Sequence, residues 1–282
     1  MTDLRLPNFF VIGAMKAGTS SLWQSLRAHP QVYMPDVKEL HYFSNPDRQA
    51  RGFDWYAAHF VAAGDARAIG EASTNYTKYP RRAGTPANIA ALIPEAKLVY
   101  VVREPISRIR SHYLHVAHGH GERRPLAEAV RADPEYLNIS RYRMQIDQYL
   151  EHFDRSQLLV ITSEALRADR THTLDRVFGF LGVDTAPANI DITPDQHVSE
   201  EKRVDRSLTR RVRRSRGYEL ARRVAPAPLK RAARTVTQRP VTLTVDASVP
   251  DDLRRELVGA LRGDVAGLRP FLGESFDGWG LA

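Results

Sequence analysis

The sequence contains no cysteine among its 282 residues. This absence excludes disulfide bonds, thiolate nucleophiles and cysteine-ligated zinc, and it is consistent with a reducing cytoplasm. Long apolar runs are also absent, because the longest one, Leu98–Val102, is far too short to cross a bilayer. The opening stretch MTDLRLPNFFVIGAMK has neither the basic start nor the apolar region of a signal peptide. We therefore predict a cytoplasmic protein without a membrane span.

The net charge of +8 is concentrated in one segment. Lys202–Arg234 holds 13 Lys or Arg and two acidic residues, whereas the rest of the chain holds 28 basic and 31 acidic residues. This basic segment favours an anionic ligand or partner, although a solvated helix surface has the same composition. It matches no DNA-reading motif and lacks the interleaved aromatic residues of single-strand binders, so no specific nucleic acid is predicted as a partner.

Short apolar runs alternate with helical patterns along most of the chain. Strands are predicted at Phe9–Ile12, Ala66–Ser73, Lys97–Pro105 and Gln157–Thr162. This alternation predicts an α/β fold with a central, mainly parallel β-sheet that helices cover on both faces. We interpret residues 1–282 as a single P-loop-like domain with a core at about 7–183. The remainder, about 184–282, is predicted to be a helical, basic C-terminal subregion, because apolar residues recur there with a spacing of four.

The stretch GAMKAGTSSL (Gly13–Leu22) has the glycine spacing of a phosphate-binding loop but an unusual lysine position. Gly13 and Gly18 are separated by four residues, as in P-loop triphosphatases, yet Thr19 follows the second glycine and the only lysine is Lys16. A strand, a glycine-bounded loop and a helix that opens with Thr or Ser place backbone N–H groups around one anion. The loop is therefore predicted to bind phosphate.

The next buried strand ends in Arg103, where a P-loop triphosphatase has an acidic residue that binds Mg²⁺. A cation in this position predicts a site that holds phosphates without magnesium, with Lys16 and Arg103 as permanent positive charges. A degenerate P-loop nucleotide or small-molecule kinase is the alternative, and it would require magnesium. The histidine-rich stretch His112–His120 lacks the spacing of a recognisable zinc site, so no metal is predicted.

The two phosphate motifs together resemble those of sulfotransferases that use 3′-phosphoadenosine 5′-phosphosulfate (PAPS). KAGTSSL is similar to the family's 5′-phosphosulfate loop, and VVREPISRIRSHY is similar to its 3′-phosphate motif. The resemblance implies binding of PAPS and of its product, adenosine 3′,5′-bisphosphate (PAP), without a metal. The cofactor-binding residues that it implies are Lys16, Ala17, Gly18, Thr19, Ser20, Ser21, Arg103 and Ser111.

A third stretch, KELHYF, resembles the Lys-Glu-Pro-His-Phe-Phe segment of the heparan-type and related bacterial members. In that group the glutamate is the proposed base, which implies this role for Glu39. His41 is the competing candidate. Leu40 replaces the family's proline, and this change alters how rigidly Glu39 is presented. Lys38 is expected to keep Glu39 ionised or to contact the cofactor.

The resemblance covers most of Phe9–Val183 and implies transfer of a sulfuryl group from PAPS to a hydroxyl or amine of a small-molecule or carbohydrate acceptor. Lys16 is expected to stabilise the leaving phosphate. The cysteine-closed loop of the animal heparan enzymes has no counterpart here, and Lys202 and Arg203 are proposed to replace its cofactor contacts. O-sulfation and N-sulfation both fit the sequence, and no oligomeric state is predicted.

Overall fold

A central sheet of five parallel strands confirms the predicted α/β architecture. The computed structural model describes residues 5–185 and 246–282, with two short antiparallel strands between these ranges. The order in the main sheet is β2-β3-β1-β4-β5. The strands are β1 Phe9–Gly13, β2 Val32–Tyr33, β3 Ala68–Ala72, β4 Lys97–Val102 and β5 Leu158–Thr162; the short pair is β6 Val204–Asp205 and β7 Gln238–Arg239.

Helices connect and flank the strands, and their apolar sides are buried. Within the described ranges, no helix is both long enough and apolar enough to span a bilayer. The helices are α1 Thr19–Ala28, α2 Pro46–Gln49, α3 Phe53–Ala57, α4 Thr85–Leu92, α5 Pro105–His120, α6 Leu126–Ala132, α7 Glu135–Asn138, α8 Tyr142–Leu150, α9 Ser163–Ala168, α10 Arg170–Leu181, α11 Asp251–Ala266 and α12 Arg269–Leu272.

The strand β1 lies in the middle of the sheet, and every one of its residues is buried. Val11 is paired with Ala72 of β3 on one side and with Val99 of β4 on the other. A strand that is covered on both faces and paired on both edges needs a continuous apolar run, which FFVI provides. Because the strands are parallel, β1, β3 and β4 all end at the same edge of the sheet. The candidate site is built at this edge.

In the first half of the chain, one element differs from the sequence-based prediction, and one strand lies in a stretch that is predicted only as extended or irregular. The sequence FDWYAAHFVAA (Phe53–Ala63) predicts a helix, but α3 ends at Ala57 and a separate 3₁₀ turn follows at Val61–Ala63. The segment Gln31–Ser44, with Pro35 breaking any helix, is predicted to be extended or irregular, and its extended part Val32–Tyr33 forms β2, which pairs with β3. A two-residue strand depends on a partner that is distant in the sequence, so its local pattern is weak.

The C-terminal subregion agrees with the prediction in part. The sequence predicts a closing helix at Pro250–Leu272, and the structure has two helices, α11 and α12, within this stretch. The spacing of Val204, Leu208 and Val212 predicts an amphipathic helix, but Val204–Asp205 is a strand that pairs with Gln238–Arg239. Most of the basic segment Lys202–Arg234 lies outside the described residues.

Candidate active site

The loop between β1 and α1 turns sharply and is fixed by its neighbours. Gly13 has a φ of 155°, and a Cβ at this position would lie 2.0 Å from Thr77 Oγ1, so only glycine fits. The Ala14 N–H donates to the Val101 carbonyl of β4 at 2.7 Å. The loop is therefore held against β4 from its first residue.

The start of α1 presents backbone donors at the loop. Gly18 is the N-terminal capping residue and has a left-handed backbone, with φ at 100°, and Thr19 is the first helical residue. The first N–H groups of a helix have no carbonyl partner within it, and they carry the positive end of the helix dipole. The loop residue Lys16 also has a left-handed backbone, with φ at 71°, and is partly exposed. This arrangement suits an anion at the loop.

Two arginines lie beneath or beside the loop. Arg103 follows β4 and donates from Nη1 to the Lys16 carbonyl at 3.3 Å. Burial, together with the nearby positive charge of Arg167, lowers the pKa of Arg103 from its ordinary value, and the residue remains a cation. Arg108 is fully buried on α5 and reaches the Met15 carbonyl at 3.5 Å. The two guanidinium groups thus donate hydrogen bonds to the carbonyls of two successive loop residues, Met15 and Lys16.

The segment Lys38–Phe43 lies across the ends of β3 and α1. The Glu39 N–H donates to the Ala72 carbonyl at 2.9 Å, and Thr74 donates to the Glu39 carboxylate from its N–H at 2.7 Å. The Lys38 ammonium is 2.7 Å from Glu39 Oε1 and 3.3 Å from Thr19 Oγ1. Lys38 therefore connects the predicted base with the first residue of α1.

His41 lies close to the same carboxylate. Its Nε2 is 3.5 Å from Glu39 Oε2, and its Nδ1 is buried without a hydrogen-bond partner. Burial lowers the pKa of His41 below its ordinary value, despite the opposing effect of Glu39, so the imidazole is neutral at pH 7. A neutral imidazole is able to accept a proton. The geometry therefore leaves both Glu39 and His41 as candidate bases.

Glu71, which was not identified from the sequence, supports the segment Lys38–Phe43 through a network of hydrogen bonds. Its carboxylate is fully buried and accepts hydrogen bonds from Tyr56 and Tyr76 at 2.7 Å each and from Ser73 at 2.6 Å. The Ser73 hydroxyl in turn accepts from the His41 N–H at 3.1 Å. Both Glu39 and His41 have left-handed backbones, with φ at 66° and 57°. The Glu71 network stabilises this strained segment.

We expect Glu71→Gln to remove a pH dependence from the free energy of unfolding. Burial raises the pKa of Glu71 from 4.5 to about 7, so its contribution to stability is complete below about pH 4.5 and is lost as the pH rises through about 7. The shift corresponds to roughly 3 kcal/mol. Urea denaturation at acidic and at mildly alkaline pH measures this loss in the wild type, and Glu95→Gln, at an exposed position, is the control. Equal pH dependence in Glu71→Gln and the wild type would contradict the assignment.

The predicted cofactor residues occupy different environments. The Ala17 N–H donates to the Ala14 carbonyl, and the Ser21 hydroxyl accepts a hydrogen bond from Arg170. Thr19 is buried next to Lys38, and Ser20 is exposed at the start of α1. Ser111 is buried on α5, beyond Arg103 in the chain. The predicted residues Lys202 and Arg203 lie outside the described residues.

The histidine-rich stretch contributes a buried side chain, His112, on α5. Burial, with positive charge from Arg108, Lys78 and other neighbours, lowers the pKa of His112 to about 2. The imidazole is therefore neutral, and its ring lies 4.6 Å from that of Tyr136. In the parts of the chain that the structure describes, no group of three or more His, Cys, Asp or Glu residues is arranged to bind a metal.

The parallel sheet, the glycine-bounded loop that leads into α1 and the cations at that edge define an α/β protein of the P-loop-like type. Comparison with known protein families identifies the family within this class. The model of the sulfotransferase domain matches residues 6–214, and the chain belongs to the sulfotransferase family, whose members are transferases. This result confirms the resemblance noted in the sequence, and it gives no support to the kinase alternative.

Individual relatives and solved structures agree with this assignment. The chain is 31% identical over 199 residues to the mouse bifunctional heparan sulfate N-deacetylase/N-sulfotransferase 4, covering 63% of this chain and 22% of that protein. It is 30% identical over 193 residues to the human heparan sulfate glucosamine 3-O-sulfotransferase 3B1, covering 64% of this chain and 47% of that protein. The chain thus spans less than half the length of these curated relatives. A sulfotransferase from Alicyclobacillus acidocaldarius superimposes with a TM-score of 0.69 at 27% identity, covering 98% of this chain and 99% of the other.

Proposed function

We propose that this protein transfers a sulfuryl group from PAPS to a hydroxyl or amine of a small-molecule or carbohydrate acceptor. The observation that supports the proposal is that the cations Arg103 and Lys38 and the candidate base Glu39 lie together at the loop between β1 and α1. Arg103 donates to the Lys16 carbonyl, and the Lys38 ammonium lies within 3.3 Å of both Thr19 Oγ1 and Glu39 Oε1. Membership of the sulfotransferase family supports the class of reaction.

The groups at the loop fit a nucleotide with phosphates at two ends. The first N–H groups of α1, with the hydroxyls of Thr19 and Ser20, would hold the 5′-phosphate, and Lys16 would contact its oxygens. Arg103 is able to make two parallel hydrogen bonds to a 3′-phosphate, and Ser111 would add a neutral one. When bound, PAPS supplies an activated sulfuryl group. Fixed positive charge at Lys16 favours the transition state, because negative charge develops on the leaving phosphate oxygen.

The acceptor's proton would be taken by Glu39, which Lys38 links to Thr19 at the start of α1. Thr74 and Lys38 hold the Glu39 carboxylate in place with three contacts, at Thr74 N–H, Thr74 Oγ1 and Lys38 Nζ. A carboxylate that is fixed in this way is oriented to accept a proton from a nearby hydroxyl or ammonium. His41 lies within 3.5 Å of the same carboxylate and is the second candidate.

We expect Arg103→Ala to abolish the preference of the protein for PAP over AMP. Hydrogen bonds to a charged phosphate contribute about 1.5–3 kcal/mol, so the affinity for PAP should fall by roughly 10- to 100-fold, whereas the affinity for AMP should change little. Isothermal titration calorimetry of both nucleotides with both proteins measures this difference. Equal losses for PAP and AMP would contradict the assignment of Arg103 to the 3′-phosphate.

The same titrations test the proposed function as a whole. Arg254→Ala, at an exposed position of α11, is the matched control and should bind PAP normally. PAP should bind without magnesium and more tightly than ADP. If affinity depended on magnesium or were unchanged by removal of the 3′-phosphate, a kinase-like site would become the better interpretation. Acceptors are then identified by transfer of radiolabelled sulfate from PAPS to a panel of hydroxyl and amine compounds.

A further inference from the structure

A cavity of about 280 Å³ lies between residues 78–81 and residues 133–139. The first wall follows the 3₁₀ turn Thr74–Thr77, and the second wall contains α7. The volume is at the lower limit of ligand pockets, which occupy about 300–1,000 Å³. The cavity therefore accommodates one ring of a ligand rather than a chain of several.

The walls of the cavity are fixed by one buried side chain. Gln145 accepts a hydrogen bond from the Tyr79 N–H at 2.8 Å and donates from Nε2 to the Tyr79 carbonyl at 2.9 Å. The same Nε2 donates to the Asn138 carbonyl in the opposite wall at 3.0 Å. A site whose walls are held in this way is organised before the ligand binds, which reduces the entropic cost of binding.

The charged groups of the cavity balance one another. The Glu135 carboxylate pairs with the Lys78 ammonium at 3.4 Å and with the Arg81 guanidinium, and Asp133 is the second acidic residue in the lining. The Lys78 and Glu135 side chains are only 14% and 13% exposed, whereas Arg81 is 64% exposed. The inner end thus carries a desolvated ion pair, and the outer end opens to solvent.

The inner end of the cavity adjoins the candidate active site. Thr74, which donates to the Glu39 carboxylate, begins the turn that leads directly into Lys78. The positive charge of Lys78 contributes to the lowered pKa of both His41 and His112. A molecule with one end in the cavity is therefore able to present another end to the predicted base.

We propose that this cavity binds an uncharged, hydroxylated ring of the acceptor, remote from the atom that receives the sulfuryl group. Ring hydroxyls accept hydrogen bonds from Lys78 and Arg81 and donate to Glu135 and Asp133, so both kinds of lining group are used. Pro80 and Pro134 offer apolar surface to the C–H face of a ring. The inference rests on the proposed function for the identity of the ligand as an acceptor.

The two cations and two carboxylates of the lining balance one another, and we infer that this balance excludes a charged ring from the cavity. A carboxylate on the ring would compete with Glu135 for Lys78 and Arg81, and an ammonium would compete for the two acidic residues. Either would leave one buried charge without its partner, which costs more than the new contact contributes. The cavity therefore selects a neutral pyranose over a uronic acid or an amino sugar.

Saturation-transfer NMR with three methyl pyranosides tests this selectivity on the full chain, with and without PAP. The probes are a neutral glucoside, the corresponding glucuronoside and the corresponding 6-amino sugar. We expect the neutral glucoside to bind best. Glu135→Gln keeps the shape of the cavity but leaves an excess of positive charge, so preference should shift toward the glucuronoside by about tenfold. Glu128→Gln, at an exposed position of α6, makes the same change of charge outside the cavity and should behave as the wild type.

The outcomes separate this inference from the proposed function. If the wild type binds the glucuronoside as well as the glucoside, binds neither, or shows no shift in Glu135→Gln, the assignment of the cavity is wrong. The measurement without PAP is decisive for the cavity even if nucleotide binding fails. Failure of PAP to bind in the calorimetry would instead overturn the proposed function.

Discussion

Replacement of Lys16 by alanine is expected to lower the turnover number at least ~100-fold while the protein remains folded. Lys16 is held at a left-handed backbone position, and its carbonyl is fixed by Arg103 at 3.3 Å. Alanine removes the ammonium that would meet the developing charge on the leaving phosphate, and water does not replace it in the same position. The measurement is the steady-state rate of sulfate transfer from radiolabelled PAPS, with a thermal melt to confirm folding.

The effect of Lys16→Ala should be larger on turnover than on PAP affinity. An ammonium that acts mainly in the transition state contributes less to the binding of the product nucleotide. Lys97→Ala is the matched control, because Lys97 begins β4 at the opposite edge of the sheet and its ammonium lies over the Phe180 ring at 5.7 Å. A Lys16→Ala protein with nearly normal turnover would remove Lys16 from the mechanism.

Replacement of Glu39 by glutamine is the second change with a large expected effect, again at least ~100-fold on turnover. The amide has nearly the same shape as the carboxylate, so the contacts with Thr74 should hold the segment in place. The amide oxygen is a far weaker base, and proton removal from the acceptor should become slow. PAP affinity, measured by calorimetry, should stay close to the wild-type value.

His41→Asn provides the comparison that separates the two candidate bases. If Glu39 is the base, His41→Asn should lower turnover much less than Glu39→Gln. The reverse order would assign the role to His41, whose neutral imidazole lies 3.5 Å from the carboxylate. Glu95→Gln, at an exposed loop position before β4, controls for the loss of a carboxylate elsewhere.

The sequence contained enough information for four of the five main strands. Three of them are compact apolar runs, and the fourth, β3, is a short and mostly apolar stretch that ends in a polar loop. The strand β2 was missed, since its two residues are ordered by pairing with Ala68 and Ile69 in β3. The helix α9 was also missed, because it follows β5 directly and is only six residues long. A local sequence pattern identifies an element when the element is long enough to show a regular alternation of buried and exposed residues. The strand β2, with two residues, and the helix α9, with six, are both too short for this.

The residues at the candidate site were predicted to different degrees. Lys16, Arg103 and Glu39 were found because short motifs place them beside glycines and strand ends. Glu71 was missed because a glutamate within a strand normally indicates an exposed face, and only the three-dimensional structure shows Tyr56 and Tyr76 converging on it. A signal was present, since Glu71 is the one polar residue in AIGEA.

Arg108 was also missed, although the helical pattern offered a clue. It lies three residues before Ser111, so the two side chains share a face of α5. Its charge among neighbouring isoleucines pointed to a special environment, which proved to be complete burial with contacts to Ser140 Oγ and the Tyr136 carbonyl. A sequence does not show which buried cations are satisfied by backbone carbonyls, because those carbonyls come from distant segments.

Because β1 lies between β3 and β4, it separates two groups of candidate site residues along the edge of the sheet. The groups that hold Glu39 and His41 follow β3, whereas Arg103 follows β4 on the other side. If the proposed function holds, recognition of the nucleotide by Arg103 and recognition of the acceptor near Glu39 depend on residues that follow different strands. A chimaera in which the turn after β3 is replaced by that of a relative would then sulfate a different compound, and its affinity for the nucleotide would stay unchanged.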